Sequence, residues 1–214
     1  MYSAYIFDFD YTLVNSEEGI AMCFDMLFAD EGYAPVPRPE IYATIGMPMY
    51  EAMAKLTGEK NSERILELIH LYKIRYSDFY MVSNTHLYED AKSTLQFLTE
   101  KGASCYIVSS KTRSRIQETI VKENLTAFIH GIIGVEDVQT PKPSPEGIKL
   151  LCRRYDIVPD ACLYIGDSTI DAQTAANSGI DFAAVTTGVT PATAFANFPH
   201  IKIMQHLQEL TTLL

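Results

Sequence analysis

Apolar runs of three to five residues, each followed by a polar or charged cluster, constrain this chain more than any other feature. Residues 5–7 run into Asp8-Phe9-Asp10, and residues 104–108 run into Ser109-Ser110-Lys111. Residues 130–133 lie upstream of Thr140-Pro141-Lys142-Pro143, and residues 163–165 end at Gly166-Asp167. A fifth run spans 182–185, and a short sixth spans 201–204 before an expected C-terminal helix. Nearly continuous apolar character predicts strands covered on both faces. Helical patterns are expected over 91–101, 112–124 and 169–178, with another starting at Ser144-Pro145-Glu146. There Ser144 can cap, Pro145 suits the first helical position and Glu146 suits the positive end of the dipole. Strands alternating with helices predict an α/β fold with a parallel sheet.

Residues 16–85 break the alternation and read as helical throughout. Ile20, Phe24, Leu27 and Phe28 form one apolar stripe. Ile65, Leu66, Ile69, Tyr72, Tyr76 and Phe79 form another. Pro35, Pro37 and Pro39 separate helices. The expected organisation is a Rossmann-like parallel-sheet core, residues 1–15 and 86–214, with an inserted all-helical domain, residues 16–85.

Composition excludes several classes. A formal net charge of -10 argues against a nucleic-acid surface, which needs clustered Lys and Arg. No apolar run is long enough to span a bilayer, and no secretory signal pattern opens the chain. Cys23, Cys105, Cys152 and Cys162 show no zinc spacing, and read as core thiols in a reducing, cytoplasmic setting.

In open α/β sheets, ligands bind at the carboxyl ends of strands. The four polar clusters can therefore meet although they are far apart in sequence. Asp8 and Asp10 sit where a strand ends, so both can reach the crevice. One carboxylate can attack phosphorus, and a second can protonate a leaving alkoxide. Taken alone, a D-x-D pair far more often just opens a surface loop. Ser109 can hydrogen-bond a phosphoryl oxygen, or merely begin a helix. Lys142, stiffened by flanking prolines, can neutralise a transferring phosphoryl group, or be a solvated lysine in a turn. Asp167 suits a hard cation, or caps a helix. Asp171 lies a turn further on.

In this order the clusters resemble the haloacid dehalogenase-like hydrolase superfamily, and within it the phosphoglycolate-phosphatase-like branch. The matching segments are "FDFDYTLVNS", "VSSK", "PKPSPEG" and "IGDSTIDAQTAANSG". The resemblance spans nearly the whole chain, and the helical insertion looks like the family's four-helix cap. It implies that Asp8 is the nucleophile and a Mg²⁺ ligand. It implies that Asp10 is the general acid/base and binds the metal through its carbonyl. Ser109, with Ser110 and Thr12, would hold substrate, and Lys142 would balance charge. Asp167 would bind Mg²⁺, and Asp171 would support the metal or orient Lys142. Family members that cleave carbon–halogen or carbon–phosphorus bonds generally lack the second aspartate, so Asp10 favours phosphate esters or anhydrides.

The expected activity is hydrolysis of a small phosphorylated metabolite by a monomer or homodimer, with no nucleic-acid or membrane partner. A sugar phosphomutase of the β-phosphoglucomutase type, or a silent binding protein, are the alternatives. Tyr11 stands where Gly is usual and can narrow the entrance or touch substrate. Asn15 stands where Asp is frequent and can still cap the first helix with Ser16. Gly46, in Ile45-Gly46-Met47-Pro48-Met49, resembles part of a substrate-specificity loop, and reads equally as a helix–helix turn. Lys55, Arg64, Lys73 and Arg75 read as solvated helix faces.

Overall fold

A computed structural model describes residues 2–213. Two short strands open the chain, β1 (Ala4–Phe7) and β2 (Val14–Asn15). Five helices follow: α1 (Glu17–Glu31), α2 (Arg38–Tyr42), α3 (Met49–Thr57), α4 (Ser62–Leu71) and the three-residue α5 (Asp78–Tyr80). A π-helical segment, Tyr72–Ser77, joins the last two. After β3 (His86–Leu87) come α6 (Ala91–Glu100), β4 (Ser104–Val108), α7 (Arg113–Lys122) and β5 (Ile129–Ile133). The chain then runs through α8 (Glu146–Tyr155), β6 (Cys162–Gly166), α9 (Thr169–Ser178), β7 (Asp181–Val185) and β8 (Lys202–Met204). It ends in a 3-10 helix, Leu207–Leu213, where the sequence reading expected an α-helix.

The main sheet is six-stranded in the order β5-β4-β1-β6-β7-β8, and every pairing is parallel. The expected α/β, Rossmann-like class is the observed one. From β1 the chain winds outward to β4 and β5, then returns beside β1 with β6 and continues the other way. The reversal falls beside β1, where such sheets form their crevice. Phe7 pairs in register with both Ile107 and Ile165, so Asp8, Val108 and Gly166 stand level.

Alternation along the strands feeds two cores. Tyr5 and Phe7 pack with Leu95, Ile107 and Ile116 on one face. Ala4 and Ile6 pack with Val108, Ile148, Tyr164 and Ala175 on the other. Asp8 continues the Ile6 side of this alternation. Helix α9 starts on a capping box: the Ser168 hydroxyl accepts from the Asp171 N–H, and the Asp171 carboxylate accepts from the Ser168 N–H. The N-cap is therefore Ser168 and not Asp167. Before α8, Pro145 is the N-cap residue, not the first helical one, and the Ser144 hydroxyl accepts from the Glu146 N–H at 3.2 Å.

The chain divides into two compact units, Asn15–His86 and the residues on either side of that segment. β2 and β3 pair with each other where the chain passes from one to the other. The helical unit has its own core of Phe24, Leu27, Phe28, Met53, Leu68 and Tyr72. The Asn15 carboxamide oxygen accepts from the Glu17 N–H at 2.9 Å at the start of α1, a bond that the Ser16 side chain does not make. Two residues of the expected second stripe lie outside the core: Leu66 is 58% exposed and Phe79 is 70% exposed. Leu66 is one position past Ile65, which turns it off the Ile65–Leu68–Tyr72 face. Phe79 follows the π segment, whose wider turn shifts the phase of the stripe after Tyr76. Gly46 sits in the turn after α2 with φ +90°, a backbone state that L side chains rarely adopt.

Candidate active site

Asp8, Ser109 and Asp167 each follow the last residue of a strand, on β1, β4 and β6 respectively. These are three adjacent strands in the interior of the sheet. The Asp8 N–H donates to the Ile165 carbonyl at 2.8 Å, and the Ser109 N–H donates to the Ile133 carbonyl at 3.1 Å. Both residues are thus pinned by the ladder and not by loop geometry. Lys142 arrives from the segment between β5 and α8.

Asp8, Asp167 and Asp171 are all buried, and each offers a carboxylate oxygen within 4.8 Å of the others. Lys142 Nζ lies 2.9 Å from Asp8 Oδ1 and 2.7 Å from Asp171 Oδ1. The contact to Asp8 is an ion pair without hydrogen-bond geometry, because Asp8 Oδ1 has no hydrogen-bond partner. Three buried carboxylates thus face one buried ammonium. Burial raises the Asp8 carboxyl to about 6, with Asp171 and Asp10 adding to the rise and Lys142 opposing it. Burial, then Asp171 and Asp8, push Asp167 well above the usual carboxylate range. Burial alone would pull the Lys142 ammonium down, but Asp171 and Asp8 outweigh it and hold it well above its ordinary value.

This charge imbalance, on hard oxygen donors alone, fits a divalent cation such as Mg²⁺. Asp171 is the least available of the three. Its Oδ1 accepts from Lys142 and Tyr164, and its Oδ2 accepts from the Ser168 N–H and hydroxyl. Asp8 and Asp167 are the two carboxylates left to face a cation. Thr12 offers Asp167 Oδ1 only a long contact of 3.5 Å.

Four residues to which the sequence reading gave no role also shape the site. Lys111 Nζ donates to both Asp10 oxygens, at 2.8 and 3.1 Å. Tyr164 lies on β6, and its phenol accepts from Lys142 at 3.2 Å. The single phenolic proton can go to Asp171 Oδ1 at 3.0 Å or to the Val108 carbonyl at 3.1 Å. Gly188 touches Asp167 so closely that a Cβ there would sit 2.1 Å from Asp167 Oδ2, so no larger residue fits unless the carboxylate moves. Thr187 donates its hydroxyl to the Tyr11 carbonyl.

Tyr11 is buried, with φ +60°, inside a tight turn in which the Leu13 and Val14 N–H groups both donate to the Phe9 carbonyl. A non-glycine residue in this region costs roughly 1–2 kcal/mol. Tyr11 is only 1% exposed, and its Cβ lies beside Gly188 next to Asp167.

Tyr164→Phe should cost about 1–3 kcal/mol, since it leaves the buried Val108 carbonyl without this donor. A shift of the urea midpoint at unchanged slope would show it, and an unchanged midpoint would mean that the phenol's bonds contribute no net stability.

The remaining predicted residues are placed as follows. Ser109 is buried, and its hydroxyl accepts from the Lys111 N–H at 3.3 Å. The Ser110 hydroxyl is buried without a hydrogen-bond partner among the described residues. Gly46 belongs to the helical unit, apart in the chain from the residues that meet at the strand ends. In that unit Arg64 pairs with Glu31 and Glu67 at 2.9 and 2.8 Å, and Arg75 pairs with Glu31 at 3.4 Å. Arg64 is thus partly buried between two acidic partners, while Arg75 stays half exposed on its helical face. No helix among the described residues is long and apolar enough to cross a membrane.

Residues 5–185 match the haloacid dehalogenase-like hydrolase family. A phosphoglycolate phosphatase of Rhodobacter capsulatus is 32% identical over 191 residues, which cover 88% of this chain and 86% of that protein. A pyrophosphatase, PpaX, of Bacillus velezensis is 26% identical over 210 residues, covering 97% and 94%. Among solved structures, a Bacteroides fragilis protein assigned to the haloacid dehalogenase-like hydrolases superimposes with a TM-score of 0.95 at 38% identity, covering 98% of this chain and 100% of that one. The chain belongs to the haloacid dehalogenase-like hydrolase family, in its phosphoglycolate-phosphatase-like branch.

Proposed function

We propose that this protein is a Mg²⁺-dependent phosphatase of small phosphorylated metabolites that works through an aspartyl-phosphate on Asp8. The observation that carries the reading is the meeting of Asp8, Asp167, Asp171 and Lys142 at the ends of adjacent strands. Asp8 attacks phosphorus and forms an acyl phosphate as the leaving oxygen departs. Asp10 gives that oxygen a proton, then takes one from the water that hydrolyses the acyl phosphate. Lys111 donates to both Asp10 oxygens and leaves each a further lone pair to face the ester oxygen. Ser109 and Ser110 donate hydroxyls to the phosphoryl group, and the unpartnered Ser110 hydroxyl supports this assignment. Lys142 offsets charge on Asp8 and on the phosphoryl oxygens. Asp8, Asp167 and the Asp10 carbonyl would hold Mg²⁺, with Asp171 fixing Lys142. When bound, Mg²⁺ would neutralise the buried carboxylates and withdraw charge from the phosphoryl group.

In this reading residues 1–15 and 86–214 form the catalytic core, and residues 16–85 form the cap. The turn at Gly46 and the hydroxyl of Thr12 contribute to substrate binding. Similarity to phosphoglycolate phosphatase and to a pyrophosphatase makes phosphoglycolate and pyrophosphate the first substrates to test. The pairing of Arg64 and Arg75 with Glu31 favours a hydrolase over a mutase, which needs a cationic site for a second phosphate. A cytoplasmic monomer or homodimer completes the reading.

The test is phosphate release with Mg²⁺ from phosphoglycolate, pyrophosphate, nucleotides and sugar phosphates. At least one should be turned over, with loss of activity in EDTA. Asp10→Asn should lower kcat by roughly 10²–10⁴-fold, the usual size of general acid–base catalysis. Folded, Mg²⁺-supplied protein that releases no phosphate from any of them would overturn the proposal.

A further inference from the structure

Cys152 and Cys162 bring two thiols together outside the candidate active site. Cys152 lies on α8 and Cys162 opens β6, and their sulfurs are 4.0 Å apart. The segment between them turns from helix to strand, with the Cys162 thiol also donating to the Val158 carbonyl at 3.5 Å. Cys152 lines a surface cavity of about 340 Å³ beside Lys149, Arg153, Ile157 and Ser178. Cys162 is 1% exposed and sits behind it. One thiol thus faces an opening, and the other waits in contact with it. The two remaining cysteines, Cys23 and Cys105, are fully buried and line none of the described cavities.

We propose that Cys152 and Cys162 form a redox-active dithiol that a peroxide oxidises to an intramolecular disulfide. The Cys152 thiolate attacks one peroxide oxygen and breaks the O–O bond. With hydrogen peroxide this gives a sulfenic acid on Cys152 and hydroxide, which takes up the thiol's proton to become water. The Cys162 sulfur then attacks the sulfenic sulfur, forms the S–S bond and expels the hydroxyl as a second water. Two thiols lose two electrons in all, and one peroxide gains them. The sulfurs have to close by about 2 Å to reach bonding distance, a movement on the scale of side-chain rotation.

The order of attack follows from the environment of each thiol. Cys152 lines the cavity and so meets the peroxide first, while the Cys162 thiol, donating to the Val158 carbonyl, lies out of its reach. Contact with Cys152, with burial, pushes the Cys162 thiol up. Burial pushes Cys105 up to about 12, which leaves it unreactive.

The test uses the full chain and is independent of the phosphatase reading. Reduced protein is treated with hydrogen peroxide, blocked with N-ethylmaleimide and digested without reductant. The expected result is a Cys152–Cys162 cross-linked peptide, with Cys23 and Cys105 alkylated only after denaturation. Before oxidation, Cys152 should alkylate at least roughly tenfold faster than Cys105. In Cys162→Ser, and in Cys162→Ala as a second variant, Cys152 should stop at the sulfenic acid and be captured by dimedone. Folding of each variant is checked by circular dichroism. The proposal is overturned if folded wild-type protein yields no such cross-link, or if Cys23 or Cys105 is oxidised ahead of Cys152.

Discussion

Asp8→Asn should abolish phosphate release and, in the same protein, raise stability when no divalent cation is present. The first effect follows from removing the attacking oxygen, and the other carboxylate at this strand end, Asp10, is bonded by Lys111 on both oxygens. A loss of at least about 10⁴-fold is expected, the scale seen when a nucleophile is removed from a group that acts as a unit. The second effect follows from the charge count. Burial raises the Asp8 carboxyl from 3.8 to about 6, so the folded protein binds this proton at a higher pH than the unfolded chain does. Wild-type stability in EDTA should therefore fall as pH rises from about 4 to about 6, and stay low above that. An amide at position 8 carries no such penalty. At pH 7 the variant should gain on the order of 2–3 kcal/mol, or a rise in Tm of roughly 5–10 °C. Adding Mg²⁺ should stabilise wild type and do much less for the variant, which closes the gap. Thermal melts of both proteins, in EDTA and in Mg²⁺, measure all of this. A variant less stable than wild type in EDTA at pH 7 would show that Asp8 is not a strained buried charge.

The strand ends were legible because their signal is local. A buried parallel strand must be apolar on both faces, so the change to Asp8, Ser109 or Asp167 marks where the sheet stops. That these ends meet follows from topology, which the alternation of strands and helices already implies. Lys111 and Tyr164 were not legible in the same way. Lys111 stands in a run of polar residues, and nothing local says that its ammonium reaches Asp10, a contact across 101 positions of sequence. Tyr164 reads as one more apolar strand residue, because the ring packs in the core beside Phe182 while only its hydroxyl enters the polar network. Gly188 follows a strand as many turn glycines do, and its role depends on the nearness of Asp167. In the helical unit the apolar stripe was read with one period throughout. The π segment at Tyr72–Ser77 broke that period, and hydrophobicity alone carries no mark of it.

Lys142→Met should move stability the opposite way from Asp8→Asn. The ammonium is the only cation in contact with Asp8 and Asp171 among the described ion pairs, and its side chain is 5% exposed. Methionine keeps much of the stem and removes the charge. Three buried carboxylates then face one another without a counter-ion, and breaking a buried pair in this way typically costs 3–5 kcal/mol. The cost depends on pH with a definite sign. Lys142 holds the Asp8 and Asp167 carboxyls down, so without it both rise further and the folded state binds more protons near neutrality. Stability of the variant should thus be near that of wild type at about pH 4–5 and fall away from it as pH rises. Mg²⁺ should recover part of the loss, because a cation at Asp8 and Asp167 supplies some of the missing charge. Phosphate release should drop by roughly 10²–10³-fold even in saturating Mg²⁺, the usual cost of losing one group that stabilises the transition state. The decisive measurement is a double-mutant cycle by urea unfolding in EDTA at pH 7.5. Asp8→Asn should raise stability more in the Lys142→Met background than in wild type, because there it removes a charge that no ammonium balances. If Asp8→Asn instead has the same effect in both backgrounds, the two residues do not balance each other, and Lys142 is held by Asp171 alone.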